Sequence, residues 1–99
     1  MFYVLICTDK PKSLQTRLKT RPAHLEYLEE LGDVLKLGGP MLDEDSGEPN
    51  GSLLVVEATS EQEARAIAES DPFNEAGIFA SIDVRRWDWR RGNPDAKQV

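Results

Sequence analysis

Two stretches of this chain, "FYVLIC" at residues 2–7 and "LLVVEA" at residues 53–58, are apolar almost without interruption. A strand with one wet face alternates apolar and polar side chains, so an unbroken run asks for cover on both faces. With 99 residues, there is material for one domain with a single two-layer core, and a partner's surface can add to the burial.

The remaining segments supply the layers. Ser13 can cap a helix whose Leu14 and Leu18 fall on one face. Pro22 lacks an amide donor and crowds the carbonyl four residues back, which predicts a break or restart near Thr20. Leu25, Leu28, Leu31 and Leu35 continue at spacings of three and four, with Gly32 offering a C-terminal stop. "VLKLGGP" reads as an outer strand, joined to the second apolar run through the acidic, turn-rich "MLDEDSGEPNGS" as a long-looped hairpin. Ser60 and Glu63 make a capping box ahead of a helix with a narrow stripe of Ala64, Ile67 and Ala68, and Asp71-Pro72 ends it. "ASIDVRRWDW" supplies the last strand, with Ile82 and Val84 on one face and Asp83, Arg85, Trp87 and Trp89 on the other. Residues 1–91 are expected to form the domain and residues 92–99 a flexible tail.

The order β-α-β-β-α-β predicts an α+β fold of the ferredoxin-like kind, a four-stranded antiparallel sheet with two helices on one face and the most apolar strands at its centre. Helices on one face leave the other bare. A second copy of the chain is the economical cover, so a homodimer through the open sheet face is expected, burying Trp87 or Trp89.

Charge and composition exclude several classes. A net charge of -6 disfavours phosphate backbones, so no nucleic-acid partner is expected; "RRWDWRR" reads as an edge strand with wet arginines before it reads as a base-stacking patch. No apolar run approaches the roughly 18 residues of a membrane span, and the N-terminus lacks the marks of a signal peptide, which predicts no membrane partner and a cytoplasmic location. The single Cys7 reads as a small buried side chain. Asp43, Asp45 and Gly47 miss the order of a calcium loop, and one histidine with one distant cysteine makes a poor zinc site. Neither a metal nor an organic cofactor is expected.

The lone histidine is the main candidate for chemistry. His24 precedes Tyr27, Leu28 and Leu31 by three, four and seven residues, which turns it inward. In isolation such a residue is usually structural. In the first turn of a helix restarted at Pro22, however, free amides and positive potential would favour a neutral ring able to accept a proton. Asp71, restrained by Pro72, is the best partner, although ideal geometry leaves His24 about 10 Å short of it. The break at Pro22 or the loop "DPFNEAG" has to close that gap. Arg17 and Arg21 flank the histidine and could hold a substrate carboxylate through a two-pronged hydrogen bond.

"RPAHLEYL", "GGP" and "DPFNEAG", in this order and in a chain of this length, resemble the YCII-related (YciI-like) family of small bacterial proteins. The resemblance runs from the first strand to the last. It implies a ferredoxin-like fold, dimerisation, a His-Asp active-site pair at His24 and Asp71, and pocket-lining positions at Gly39, Pro40, Pro72 and Phe73. The family includes a relative that acts on chlorinated muconolactones, and its fold is shared with muconolactone isomerases, so the resemblance implies proton transfer, isomerisation or elimination on a small organic acid or lactone. The alternative is a non-catalytic dimeric ligand-binding or sensing module in which the same histidine only secures the helix.

Overall fold

The computed structural model describes residues 1–95. Four strands and three helices follow in the order β1 (Phe2–Asp9), α1 (Leu14–Leu31), β2 (Leu35–Leu42), β3 (Pro49–Glu57), α2 (Glu61–Glu69), α3 (Pro72–Glu75) and β4 (Phe79–Trp87), with a 3-10 turn at Gly32–Val34 after α1. The sheet order is β2-β3-β1-β4, antiparallel throughout, so the two apolar runs are the central pair. This is the ferredoxin-like α+β arrangement. No helix among the described residues is long and apolar enough to cross a membrane.

Register divides the apolar runs between two faces. Tyr3, Leu5 and Cys7 face Val56, Leu54 and Ser52 across one ladder, and Leu5 and Cys7 face Val84 and Ile82 across the other. These side chains join Ala64 and Ala68 of α2 and Phe73 of α3 in one buried cluster. Phe2, Val4 and Ile6 alternate with them onto the opposite face, beside Leu53, Leu37 and Trp87, and there the side chains are only partly covered. Leu37, Leu53 and Trp87 keep 47%, 36% and 38% of their surface exposed.

Helix α1 runs unbroken through Pro22, so the expected break near Thr20 is absent. Pro22 and Leu18 are both on the solvent side. The carbonyl that loses its amide partner there can be hydrated, which makes the proline tolerable. The continuous helix also overturns the placing of His24 in a first turn: it sits mid-helix, away from the free amides. The leucine stripe differs as well. Leu18 and Leu25 are 53% and 45% exposed, while the buried positions of α1 are Arg17 and His24. Gly32, at φ 55°, closes the helix as its sequence suggests.

The Ser60 cap accepts the Glu63 N–H at 3.1 Å, and the Glu63 carboxylate reaches back to Thr59, one residue beyond the ordinary capping box. The hairpin loop is shorter than expected because β3 begins at Pro49; Asp43 gathers the Asp45 and Ser46 amides and Gly47 turns at φ 73°. Those hydrogen bonds hold the Asp43 carboxyl below its usual range. Strand β4 ends at Trp87, and Trp89 lies beyond it, buried within its own chain. Its ring stacks on Trp87 at 5.8 Å, meets Phe2 edge-on at 5.4 Å, and its Nε1 donates to the Arg91 carbonyl. Trp89 is therefore not free to cover a partner. Asn93 donates to the Trp89 carbonyl; the rest of the tail expected at 92–99, residues 96–99, lies outside the described residues.

Two outcomes follow from this packing. Pro22→Ala restores a hydrogen bond at an exposed helical position, partly offset by a freer unfolded chain, and should raise stability by roughly 2 kcal/mol in denaturant unfolding. Cys7 is fully covered, and burial first, then the Asp71 and Asp9 carboxylates, push its thiol from an ordinary 9.0 up to about 12. Below pH 9.0 both folded and unfolded chains keep that proton; from there to about pH 12 only the unfolded chain loses it, so this group lowers stability as pH rises. Iodoacetamide at pH 8 should leave native Cys7 unmodified and label it after unfolding.

Candidate active site

Pro72 pushes Asp71 into extended backbone at φ -62°, ψ 132°, which makes Asp71 the N-cap of α3. Its Oδ1 accepts the Phe73 amide at 2.9 Å. The same carboxylate meets His24 Nδ1 at 2.8 and 3.0 Å, and Asp71 has no exposed surface. Facing a carboxylate that only accepts, Nδ1 carries the ring hydrogen and leaves Nε2 as the acceptor. Nε2 has no hydrogen-bond partner among the described residues, yet no buried side-chain nitrogen or oxygen there lacks one; Nε2 is therefore reachable by solvent.

Phe73 completes the clamp. The imidazole stacks on its ring at 3.9 Å with 10° between planes, and the Arg17 guanidinium carbon lies 4.5 Å from the same ring centre. Stacking of this kind adds about 0.5–1.5 kcal/mol beyond burial and fixes the ring plane. The 71–77 segment closes the gap expected between His24 and Asp71: it folds as a one-turn helix packed against α1, not as a loop.

A second polar group stands beside the dyad. Arg17 Nη1 donates to both oxygens of Asp9 at 3.2 and 3.1 Å, and Nη2 donates to Ser52 Oγ at 2.9 Å. Burial raises the Asp9 carboxyl, and the Arg17 charge opposes that shift. Asp9 follows the buried Cys7 by two positions, so strand alternation turns it to the same face. Sequence reasoning missed Asp9 and Ser52. A serine opening an apolar strand carries no motif; only the pairing of Ser52 with Cys7 reveals which way it faces.

Between α1 and the β2-β3 edge opens a cavity of about 310 Å³. Its walls include Arg17, Arg21, His24, Gly39, Pro40 and Phe73, all expected at the site, together with Ser52, Gly38, Leu28 and Leu54. Leu18 and Leu25, expected in the core, instead form the apolar rim. Pro72 does not reach the cavity; it acts through the backbone of Asp71. Arg21 is exposed and makes no ion pair or hydrogen bond among the described residues. Gly38 keeps a wall thin: a Cβ there would stand 2.9 Å from Leu54 Cδ2.

The sequence pattern of the YCII-related domain matches residues 1–88. Protein YciI of Escherichia coli O6:H1 is 39% identical over 92 residues, covering 86% of this chain and 94% of that protein. The solved structure of 5-chloro-2-hydroxyhydroquinone dehydrochlorinase (TftG) from Burkholderia phenoliruptrix AC1100, in complex with 2,5-dihydroxybenzoquinone, is 39% identical, covers 94% of this chain and 99% of its own, and superposes with a TM-score of 0.84. An antibiotic biosynthesis monooxygenase, at 12% identity and a TM-score of 0.54, covers 90% of this chain and 98% of its own and shares the fold alone. Matched along nearly its whole length by pattern, sequence and fold, the chain belongs to the YCII-related family.

Proposed function

We propose that this protein is a small-molecule enzyme in which His24 transfers protons and Asp71 orients it. The supporting observation is the buried Nδ1-carboxylate contact at 2.8 Å with Nε2 left accessible beside the cavity. Nε2 would take a proton from the bound molecule; returning it to another atom gives isomerisation, and expelling a leaving group with the released electron pair gives elimination. The Nδ1–H to Asp71 contact fixes the tautomer and stabilises the ring once it is protonated. The dehydrochlorination named for TftG, similar over nearly the full length, favours elimination from a hydroxylated ring over chemistry on a lactone. Neither a metal nor an organic cofactor has a part in this scheme.

The open sheet face supports a homodimer. Leu37, Leu53 and Trp87 are large, apolar and uncovered on one surface, the composition of a self-complementary contact. Leu53→Lys should convert a dimer to a monomer in sizing chromatography, and a wild-type monomer at every concentration would refute the contact.

The dyad is tested with the chain's single histidine. In wild type, Asp71→Asn and His24→Ala, turnover of 5-chloro-2-hydroxyhydroquinone and binding of 2,5-dihydroxybenzoquinone are compared. His24→Ala should lose about 10²–10⁴-fold in kcat with binding retained. Asp71→Asn keeps an oxygen for the Phe73 amide but removes the charge, and should lower kcat with binding retained. Unchanged turnover in Asp71→Asn removes the dyad, and binding without His24-dependent turnover favours a ligand sensor.

A further inference from the structure

The wall of the cavity carries Arg17 and Arg21 and no aspartate or glutamate. Arg17 is already paired with Asp9 and His24 with Asp71, so the charge left without a partner among the described residues is Arg21 at the exposed side of the lining, and in a chain of net charge -6 a cation placed there favours a negatively charged occupant. The kind of anion is limited by how Arg17 is already engaged. Its Nη1 holds Asp9 and its Nη2 holds Ser52, so the end-on pair of terminal nitrogens already has partners. What Arg17 presents instead is Ser52.

Ser52 is 2% exposed and lines the cavity. Its Oγ accepts from the guanidinium, so its own hydrogen has to point elsewhere, and that hydrogen has no acceptor among the described residues. A hydroxyl that accepts from a fixed cation is polarised into a stronger donor. Phe73, Pro40, Leu54 and Gly38 are among its lining residues, and about 310 Å³, at the small end of ligand pockets, has room for a single ring.

We propose that Ser52, polarised by Arg17, is an oxyanion-binding residue, and that this cavity takes single-ring compounds bearing one anionic oxygen, phenolates or enolates, in preference to carboxylates. The assignment rests on the reading of the cavity as a substrate site and adds the substrate class to it. Arg17 is then a positioning residue, Asp9 holds it in place, and Arg21 adds long-range attraction at the mouth. An incoming phenolate is held by Ser52 at one oxygen while Nε2 of His24 acts elsewhere on the ring.

The test uses 4-nitrophenolate, 4-nitroanisole and 4-nitrobenzoate as binding probes, at a pH where the phenol is ionised. Wild type should bind the phenolate roughly tenfold tighter than either comparison compound, the scale of one charge-assisted hydrogen bond. Ser52→Ala should erase that preference while leaving anisole binding unchanged, and Ser52→Thr should restore it. Should Ser52→Ala fail to fold, Ser52→Cys keeps the volume, supplies only a weak donor and should lose the preference likewise. Equal binding of phenolate and anisole, tighter binding of benzoate, or a preference that survives in Ser52→Ala each overturn the proposal. His24→Ala separates the two readings: phenolate preference with undiminished turnover sinks acid-base catalysis and leaves the subsite, whereas lost turnover without preference does the reverse.

Discussion

The carboxylate of Asp71 joins two elements, the start of α3 and the middle of α1. One of its oxygens caps α3, and both approach the imidazole projecting from the middle of α1. A buried charge without partners would be costly, so the arrangement holds only while amide and ring are both in place. Through that single group the backbone turn at Pro72, the plane of Phe73 and the tautomer of His24 are set together. The cavity wall inherits its shape from this clamp.

The two polar groups of the site are built differently. His24 is held by a side chain on a short helix, whereas Arg17 is held by the strands, through Asp9 at the end of β1 and Ser52 in β3. Phe73 lies against both. Helix α1 thus carries Arg17 and His24 on one face, seven residues apart, and buries these and not its leucines. A helix whose inward face is polar is stable here because each inward group has a dedicated partner.

Much of the architecture was legible in the residues. Two apolar runs fixed the central strands, the Ser60 and Glu63 pair marked α2, and Asp71-Pro72 marked the end of a helix and the carboxylate that lies against His24. The continuity of α1 was hidden because a proline rule that is sound for a buried helix face relaxes on a wet one. The one-turn α3 was hidden by its length, too short for any periodicity. Ser52 and Asp9 escaped notice for a deeper reason: their role comes from ladder register, which sets Ser52 opposite Cys7, and from Arg17, which reaches both from another element. Trp89 was misplaced because alternation does not announce where a strand stops.

Pro22 lies on the same helix as Arg17 and His24, between Leu18 and Leu25 at the rim. With one rung of its ladder missing on the outer side, the helix there resists bending less than an intact one would. A residue that looks like an interruption thus leaves the ladder open only on its wet side, beside the cavity mouth, while the face carrying Arg17 and His24 keeps its contacts.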